Sequence, residues 1–291
     1  MTVTAKMVKD LRDTTGAGMM DAKRALVETS GDFEAASDWL KQKGLAKAQK
    51  KSGRIAAEGL VGVKIDKNSA SIIEANCETD FVAKNDEFQN MVTSILIASK
   101  NLDTLNKVLN TDIQGRKVEE ILTEKVASIG EKISLRRYEK INSDFISSYV
   151  HNSVAENLGK IGVLVALSAK NDELGKQIAM HIAACNPLGL NEEDIPSSIL
   201  EREKKVFLEQ AKDSGKPPEI VENMVKGKLK KFVAEVTLLN QNFVLEPDNK
   251  ILEVVKKNGV EILDYVRFEV GEGIDKPVED FAEEVKKTAL S

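Results

Sequence analysis

Two runs rich in β-formers, "GLVGVKID" (residues 59–66) and "SASIIEANC" (69–77), flank the turn-forming stretch Asp66-Lys67-Asn68-Ser69. That arrangement predicts a β-hairpin, the strongest local constraint in the chain. Within the second run, Ile73, Ala75 and Cys77 fall on one strand face and Glu74 and Asn76 on the other, so one face is expected to meet a core. A helix should follow, because Phe88, Met91, Val92, Ile95 and Leu96 recur at helical offsets. Another carries Val118, Ile121, Leu122 and Val126. Beyond Gly130 the pattern partly repeats, with the strand-like "KISLRRYEKI", "FISSYVHN" and "IGVLVALS" and then a helix bearing Leu174, Ile178, Ile182 and Cys185. Strands and helices in this proportion, joined mostly by hairpin-length links, predict an α+β fold of two subdomains with antiparallel sheets.

The first fifty or so residues read differently, as three helices. Thr4 caps a helix carrying Val8 and Leu11, a second follows "TGAG" with Ala22, Ala25 and Leu26, and a third carries Phe33, Ala36 and Leu40. From Lys41 to Arg54 there are six basic residues and no acidic one. With Gly44 and Gly53 as breakers and no aromatic residue to stack on bases, this stretch reads as a helix end and a solvated linker rather than a nucleic-acid patch. Two charged helices around Ser214-Gly215-Lys216-Pro217 make a helical hairpin. Its stripe of Val221, Val225, Leu229, Phe232 and Val236 either packs on the hairpin itself or faces another chain. The tail after "VGEGI" reads as one more amphipathic helix. The expected units are therefore a three-helix domain with its basic linker (1–54), a first core subdomain (55–142), a second core subdomain (143–274) with the hairpin arm at about 190–239, and a C-terminal helical module (275–291).

The chain's 42 Lys and Arg against 47 Asp and Glu give a net charge of −5, which argues against global attraction to nucleic acid or anionic lipid. No run approaches the roughly 20 apolar residues of a membrane span, and the N-terminal stretch lacks the apolar core of a signal peptide. A cytoplasmic location is expected, and the lack of an Arg-rich, acid-poor leader favours a bacterial cytoplasm. Two cysteines and two histidines cannot form a zinc site of recognised spacing, so no metal or cofactor is expected. "TGAG" lacks the third glycine and the preceding strand of a dinucleotide fingerprint, and "SGKP" lacks the P-loop glycine. Neither histidine has a nucleophile beside it in sequence. The residues favour a binding or regulatory protein over an enzyme.

Two longer motifs are specific. "LRDTTGAGMMDAKRAL" (Leu11 to Leu26) resembles the N-terminal signature of the elongation factor Ts family, and "EANCETDFVAK" (Glu74 to Lys84) resembles its second, with Ala75 where a larger aliphatic residue is usual. "GEKISLRR", "GVLVAL", "SGKPPEIVENMV", "FVLEP" and "RFEVGEGI" extend the likeness, in the family's order, over essentially the whole chain. The resemblance implies a ubiquitin-associated-like three-helix N-terminal domain, two α+β core subdomains, an inserted helical-hairpin arm and a C-terminal helix. It also implies a guanine-nucleotide exchange factor of the bacterial type that binds elongation factor Tu, both GDP-bound and nucleotide-free, and performs no covalent chemistry. Direct contact with nucleic acid or membrane is not expected, and a dimer of heterodimers is left open.

By position, the family's magnesium-dislocating segment corresponds to Asp80, Phe81, Val82 and Ala83. The residues alone offer a blander reading, in which Asp80 caps a helix and Phe81 packs inward beside Phe88. Carried over less securely are Arg12, Met19 and Met20 in the first signature, with Met20 equally suited to the core. His151 of "YVHN" matches an interface histidine of the family near the extra residues "NSVAENLGK", and a satisfied surface histidine is the other reading. Val244 and Leu245 of "FVLEP" and Phe281 in the terminal helix complete the implied partner contacts. Two other classes remain: a ubiquitin-like-binding adaptor using the three-helix domain, and an RNA-binding protein using Lys41 to Arg54. Neither accounts for the second signature.

Overall fold

The computed structural model describes residues 3–212 and 217–275. Three helices come first, α1 (Ala5–Thr15), α2 (Met19–Glu28) and α3 (Phe33–Lys51). Thr4 accepts the Met7 amide at 3.3 Å and Asp32 that of Ala35 at 2.9 Å, so α1 and α3 each begin at a side-chain cap. Val8, Leu11, Ala22, Ala25, Leu26 and Ala36 close on one another as a small core. Phe33, expected to join them, is instead exposed at the start of α3.

The hairpin follows as β1 (Glu58–Asp66) and β2 (Ser69–Cys77), with Glu58 opposite Cys77 and Asp66 opposite Ser69. Lys67 takes the left-handed conformation, φ 43°, that a two-residue turn demands. Next come α4 (Asp80–Ala83), α5 (Asp86–Ala98), α6 (Leu105–Leu109), a small ribbon of β3 (Asp112–Ile113) and β4 (Arg116–Lys117), α7 (Val118–Ile129) and β5 (Ser134–Asn142). The chain continues through β6 (Phe145–His151), β7 (Leu158–Gly159), β8 (Ile161–Leu167) and α8 (Asp172–Cys185). It then forms α9 (Ser197–Lys212), α10 (Pro218–Val236), a ribbon of β9 (Asn242–Phe243) and β10 (Glu246–Lys250), α11 (Ile251–Lys257) and β11 (Ile262–Glu269).

One sheet has the order β5-β2-β1-β7 and the other β11-β8-β6, all paired antiparallel, as the α+β expectation requires. The sheets stack face to face: Val61, Val63, Ile72 and Ile141 of the first meet Leu164, Ala166 and Phe268 of the second. α5 and α7 cover the outer face of the first sheet, and α8 and α11 that of the second. The expectation of one core face for β2 is therefore corrected. Both its faces are buried, one under α5 and the other against the second sheet, because β2 is an inner strand of an inner layer.

This sandwich encloses a charge. Glu74 of β2 is fully buried, and its carboxylate accepts from Arg136 Nη1 at 3.1 Å, from Arg137 Nε, from the Gly271 amide at 2.8 Å and from Asn76 Nδ2 at 3.0 Å. Neighbouring strand residues normally face opposite sides. Here Glu74 pairs with Arg137 but Ala75 with Leu135, and the bulge at Arg136 turns two consecutive arginines toward one carboxylate. Gly271 contributes its amide from a left-handed turn, φ 74°, where an added Cβ would lie 2.2 Å from the Ala57 carbonyl oxygen. Arg137 also lies 4.2 Å over the Phe268 ring and donates to the Glu269 carbonyl at 2.8 Å, tying β5 to β11.

Two further expectations change. Gly44 does not break α3, which runs on to Lys51 because Gly44 is buried where α3 crosses α7, its Cβ position 3.4 Å from that of Ala127. Of the basic residues around it, Lys43, Lys47, Lys51 and Arg54 are engaged within the chain. Lys43 and Lys47 pair with Asp21 at 2.6 and 2.7 Å, their hydrogen bonds holding its carboxyl below the usual range, and Lys51 donates to the Gly130 carbonyl. In the hairpin arm α10 packs along α9. Val225 is buried and Val221, Leu229, Phe232 and Val236 are half-buried, so the stripe is largely used within the chain. The turn Ser214-Gly215-Lys216 and, of the C-terminal helical module expected at 275–291, residues 276–291 lie outside the described residues.

Replacing Glu74 by Gln leaves two guanidinium groups facing a neutral amide. Urea unfolding should show a loss of about 3 kcal/mol, and a change below about 1 kcal/mol would remove Glu74 from its role as the tie between the sheets.

Candidate functional site

Where β2 ends, the chain makes a single helical turn, α4, before Asn85 caps α5 through the Glu87 amide at 2.7 Å. The cap of α4 is Thr79, whose hydroxyl accepts the Val82 amide at 3.4 Å. The expected Asp80 cap is thus corrected: Asp80 is the first helical residue, and its carboxylate accepts from Lys84 Nζ at 2.7 Å, which lowers its pKa. A cap requires extended backbone, and Thr79 has it, with φ −124° and ψ 155°.

Phe81 is 80 % exposed. The inward reading beside Phe88 fails, because Phe88 of α5 is fully buried in the first core while Phe81 stands on the outward side of the α4 turn. Val82 is half-buried against the first core, and Ala83, 1 % exposed, belongs to that core. Of the four expected residues, Asp80 and Phe81 face outward, while Val82 and Ala83 seat the turn.

The base of this turn is densely bonded. Both amides at its start, Glu78 and Thr79, donate to Glu131 Oε2 at 3.0 Å, and the Thr79 hydroxyl donates to Glu131 Oε1 at 2.7 Å. Glu78 reciprocates by accepting the Lys132 amide at 2.6 Å and Arg54 Nη1 at 3.2 Å. The buried Cys77 thiol donates to the Thr79 carbonyl at 3.1 Å, and burial pushes its pKa up to about 12, so it stays protonated. Sequence reasoning missed Thr79, Glu131 and Arg54; Glu131 stands in "GEKISLRR", whose bearing on Phe81 only the fold reveals.

The remaining expected contacts are spread over other elements. Arg12 is exposed on α1, and Met19 and Met20, 51 % and 75 % exposed, open α2, so Met20 is not a core residue. His151 ends β6 exposed, its Nδ1 3.0 Å from the Tyr149 hydroxyl. Val244 and Leu245 form the exposed two-residue tip between β9 and β10. Phe281 lies outside the described residues. Behind the Val244 tip, buried His181 accepts the Val244 amide on Nδ1 at 3.3 Å and donates from Nε2 to Gln241 at 2.9 Å. Burial depresses its pKa, outweighing the Gln241 bond.

Among the described residues, no group of three or more His, Cys, Asp or Glu is placed to hold a metal, and no helix is long and apolar enough to cross a membrane. A cavity of about 230 Å³ lies between α5, the β3–β4 ribbon and α7, and no residue of the α4 turn lines it. What the fold presents is a mixed α+β protein with apolar side chains outward at the α4 turn, at the start of α2 and at the β9–β10 tip.

The comparisons with known proteins agree with that class. The family profile "Elongation factor TS" matches residues 78–272. The chain is 56 % identical over 288 residues to elongation factor Ts of Dinoroseobacter shibae, covering 99 % of both chains. It is 56 % identical over 292 residues to that of Paracoccus denitrificans and 53 % over 289 to that of a Ruegeria species, again over 99 % of each. The chain belongs to the elongation factor Ts family, and hence to the factors of translation elongation.

The His181 environment carries a pH signature. The folded chain resists protonation there while the unfolded chain titrates near 6.5, so the histidine's contribution is complete above that pH and is lost as pH falls below it. Denaturant midpoints at pH 7.5 and 5.5 should separate more in the parent than in His181→Gln; equal separations would contradict the buried neutral imidazole.

Proposed function

We propose that this chain is a guanine-nucleotide exchange factor for elongation factor Tu. It binds the GDP-bound form, disturbs the magnesium and phosphate site, stabilises the nucleotide-free form and yields to GTP. The observation that carries this reading is the outward Phe81 on a turn whose every neighbour is fixed, in a chain of this family. On this reading the chain works in a bacterial cytoplasm, touches no nucleic acid directly and performs no covalent chemistry. A dimer of heterodimers is compatible with it. The working units are residues 1–54, 55–142, 143–274 with the arm at about 190–239, and 275–291.

The physics supports a wedge. Magnesium demands near-ideal octahedral geometry and bridges nucleotide phosphates to protein, so a small displacement of a supporting loop weakens ion and GDP together. Phe81 brings bulk, and Asp80, held by Lys84, brings charge that is already partnered. Full burial of a phenylalanine contributes roughly 1.5–3 kcal/mol, or about ten- to a hundredfold in affinity. A larger acceleration therefore draws on additional contacts, for which Arg12, Met19, Met20, His151, Val244, Leu245 and Phe281 are the candidates. Met19 and Met20 suit such a surface because unbranched thioether chains adapt to a partner. Linkage then requires that GDP weaken the factor's binding by the same factor as the factor weakens GDP's.

Phe81→Ala should retain the parent's circular dichroism and thermal midpoint, since the ring lies in solvent. It should slow release of fluorescent GDP from bacterial elongation factor Tu by roughly ten- to a hundredfold. Parent-like release by a folded variant would sink the wedge role.

A further inference from the structure

We infer that Glu131 is a positioning residue for Phe81, fixing the angle at which the α4 turn presents the ring; the inference rests on the exchange reading above. A four-residue helix has no stability of its own, because one turn fixes several dihedrals for very few hydrogen bonds. Its direction must come from outside. Two anchors surround it: downstream, Val82 and Ala83 pack into the core, and upstream the chain must leave β2 at a defined angle.

Glu131 supplies the upstream anchor. Its carboxylate is the acceptor for two successive amides and one hydroxyl, and such charge-assisted bonds are short and directional. All the polar groups of Thr79 are thereby engaged: the amide and hydroxyl by Glu131, the carbonyl by Cys77 and by the Ala83 amide at 3.4 Å. Phe81 lies two residues beyond. Glu131 reaches this place because Gly130 ends α7 in a left-handed turn, φ 88°, and sends the chain across the end of β2.

The node extends to the N-terminal helices. Lys51, at the end of α3, donates to the Gly130 carbonyl, Arg54 bonds Glu78, and Lys132 Nζ donates to the Arg54 carbonyl at 2.8 Å. Residues 51–54, 78–79 and 130–132 thus form one reciprocal lattice at the root of the tip. The element carrying Met19 and Met20 is linked to the element carrying Phe81 through the end of α3. A shift of the ring by about an ångström at the reacting contact is enough to lower a rate by about a hundredfold, so a group that sets the ring's angle has leverage without touching the partner.

The test uses the full chain and fluorescent GDP on bacterial elongation factor Tu, with release rates followed to saturation in the factor. Glu131→Ala should lower the maximal release rate by about tenfold while leaving the half-saturating concentration within about twofold, because other surfaces supply the affinity. Mere destabilisation would reduce the active concentration without that split. In a Phe81→Ala background, Glu131→Ala should change nothing further, since its effect passes through the ring. A parent-like maximal rate for Glu131→Ala, or losses that multiply in full in the double variant, overturns the inference. If Phe81→Ala is slow and Glu131→Ala is not, only this inference fails; if Phe81→Ala is parent-like, the wedge role falls and takes this inference along, whereas a parent chain that leaves GDP release unchanged removes the exchange reading itself. Should Glu131→Ala not fold, Glu131→Gln keeps one acceptor and the side-chain shape. Its Glu78 and Thr79 amides should exchange hydrogen about tenfold faster than the parent's, with the β1–β2 amides unchanged, and parent-like exchange at both would refute the anchor.

Discussion

A single buried carboxylate, Glu74, organises the core of this chain. It accepts from Arg136 and Arg137 of β5, from Asn76 of its own strand and from the Gly271 amide after β11, so two sheets and the chain's last described turn converge on one group. A carboxylate in such a place is tolerable only when charge and lone pairs are both answered, and here they are. The bulge at Arg136, the left-handed Gly271 and the Arg137 guanidinium over Phe268 are the local consequences. Each makes sense only beside Glu74.

That core makes the outward tip workable. β2 carries Glu74 in its middle and the α4 turn just beyond its end, so the strand held by the Glu74 cluster leads directly into the turn that bears Phe81. Rigidity at the root limits the ordering entropy that docking would otherwise require, and a preorganised ring delivers more of its burial energy to the contact. Apolar residues at other tips, Met19 and Met20 on α2 and Val244 and Leu245 between β9 and β10, are likewise mounted on elements with buried faces. On the exchange reading, one tip displaces and the others hold.

Periodicity was readable wherever one physical cause set it. The β1–β2 hairpin, α5, α7 and α8 follow from the spacing of apolar residues, and the antiparallel sheets from short connections. Alternation misled at β2, because Glu74 and Asn76 mark a solvent face only if nothing covers it; a second sheet and two arginines from the next motif do. Gly44 looked like a stop because propensity knows nothing of α7 crossing there. Asp80 looked like a cap, yet Thr79 has the extended backbone and the hydroxyl that accepts the Val82 amide, and Asp80 instead meets Lys84 one turn on. For Phe81 the residues alone favoured the inward side, and the structure overturns that, since the burial of Phe88 and Ala83 decides the matter and is a tertiary fact. The Glu131 anchor was invisible for the same reason: more than fifty residues separate it from Thr79.

The most direct measurement is stopped-flow release of fluorescent GDP from bacterial elongation factor Tu across a magnesium titration, with and without the full chain. A tip that acts through the metal site predicts marked acceleration at millimolar magnesium that shrinks as a chelator removes the ion, because spontaneous release then already lacks the metal's hold on the phosphates. Release that the chain leaves unchanged at every magnesium concentration would contradict the exchange function itself, and acceleration indifferent to magnesium would contradict the route through the metal.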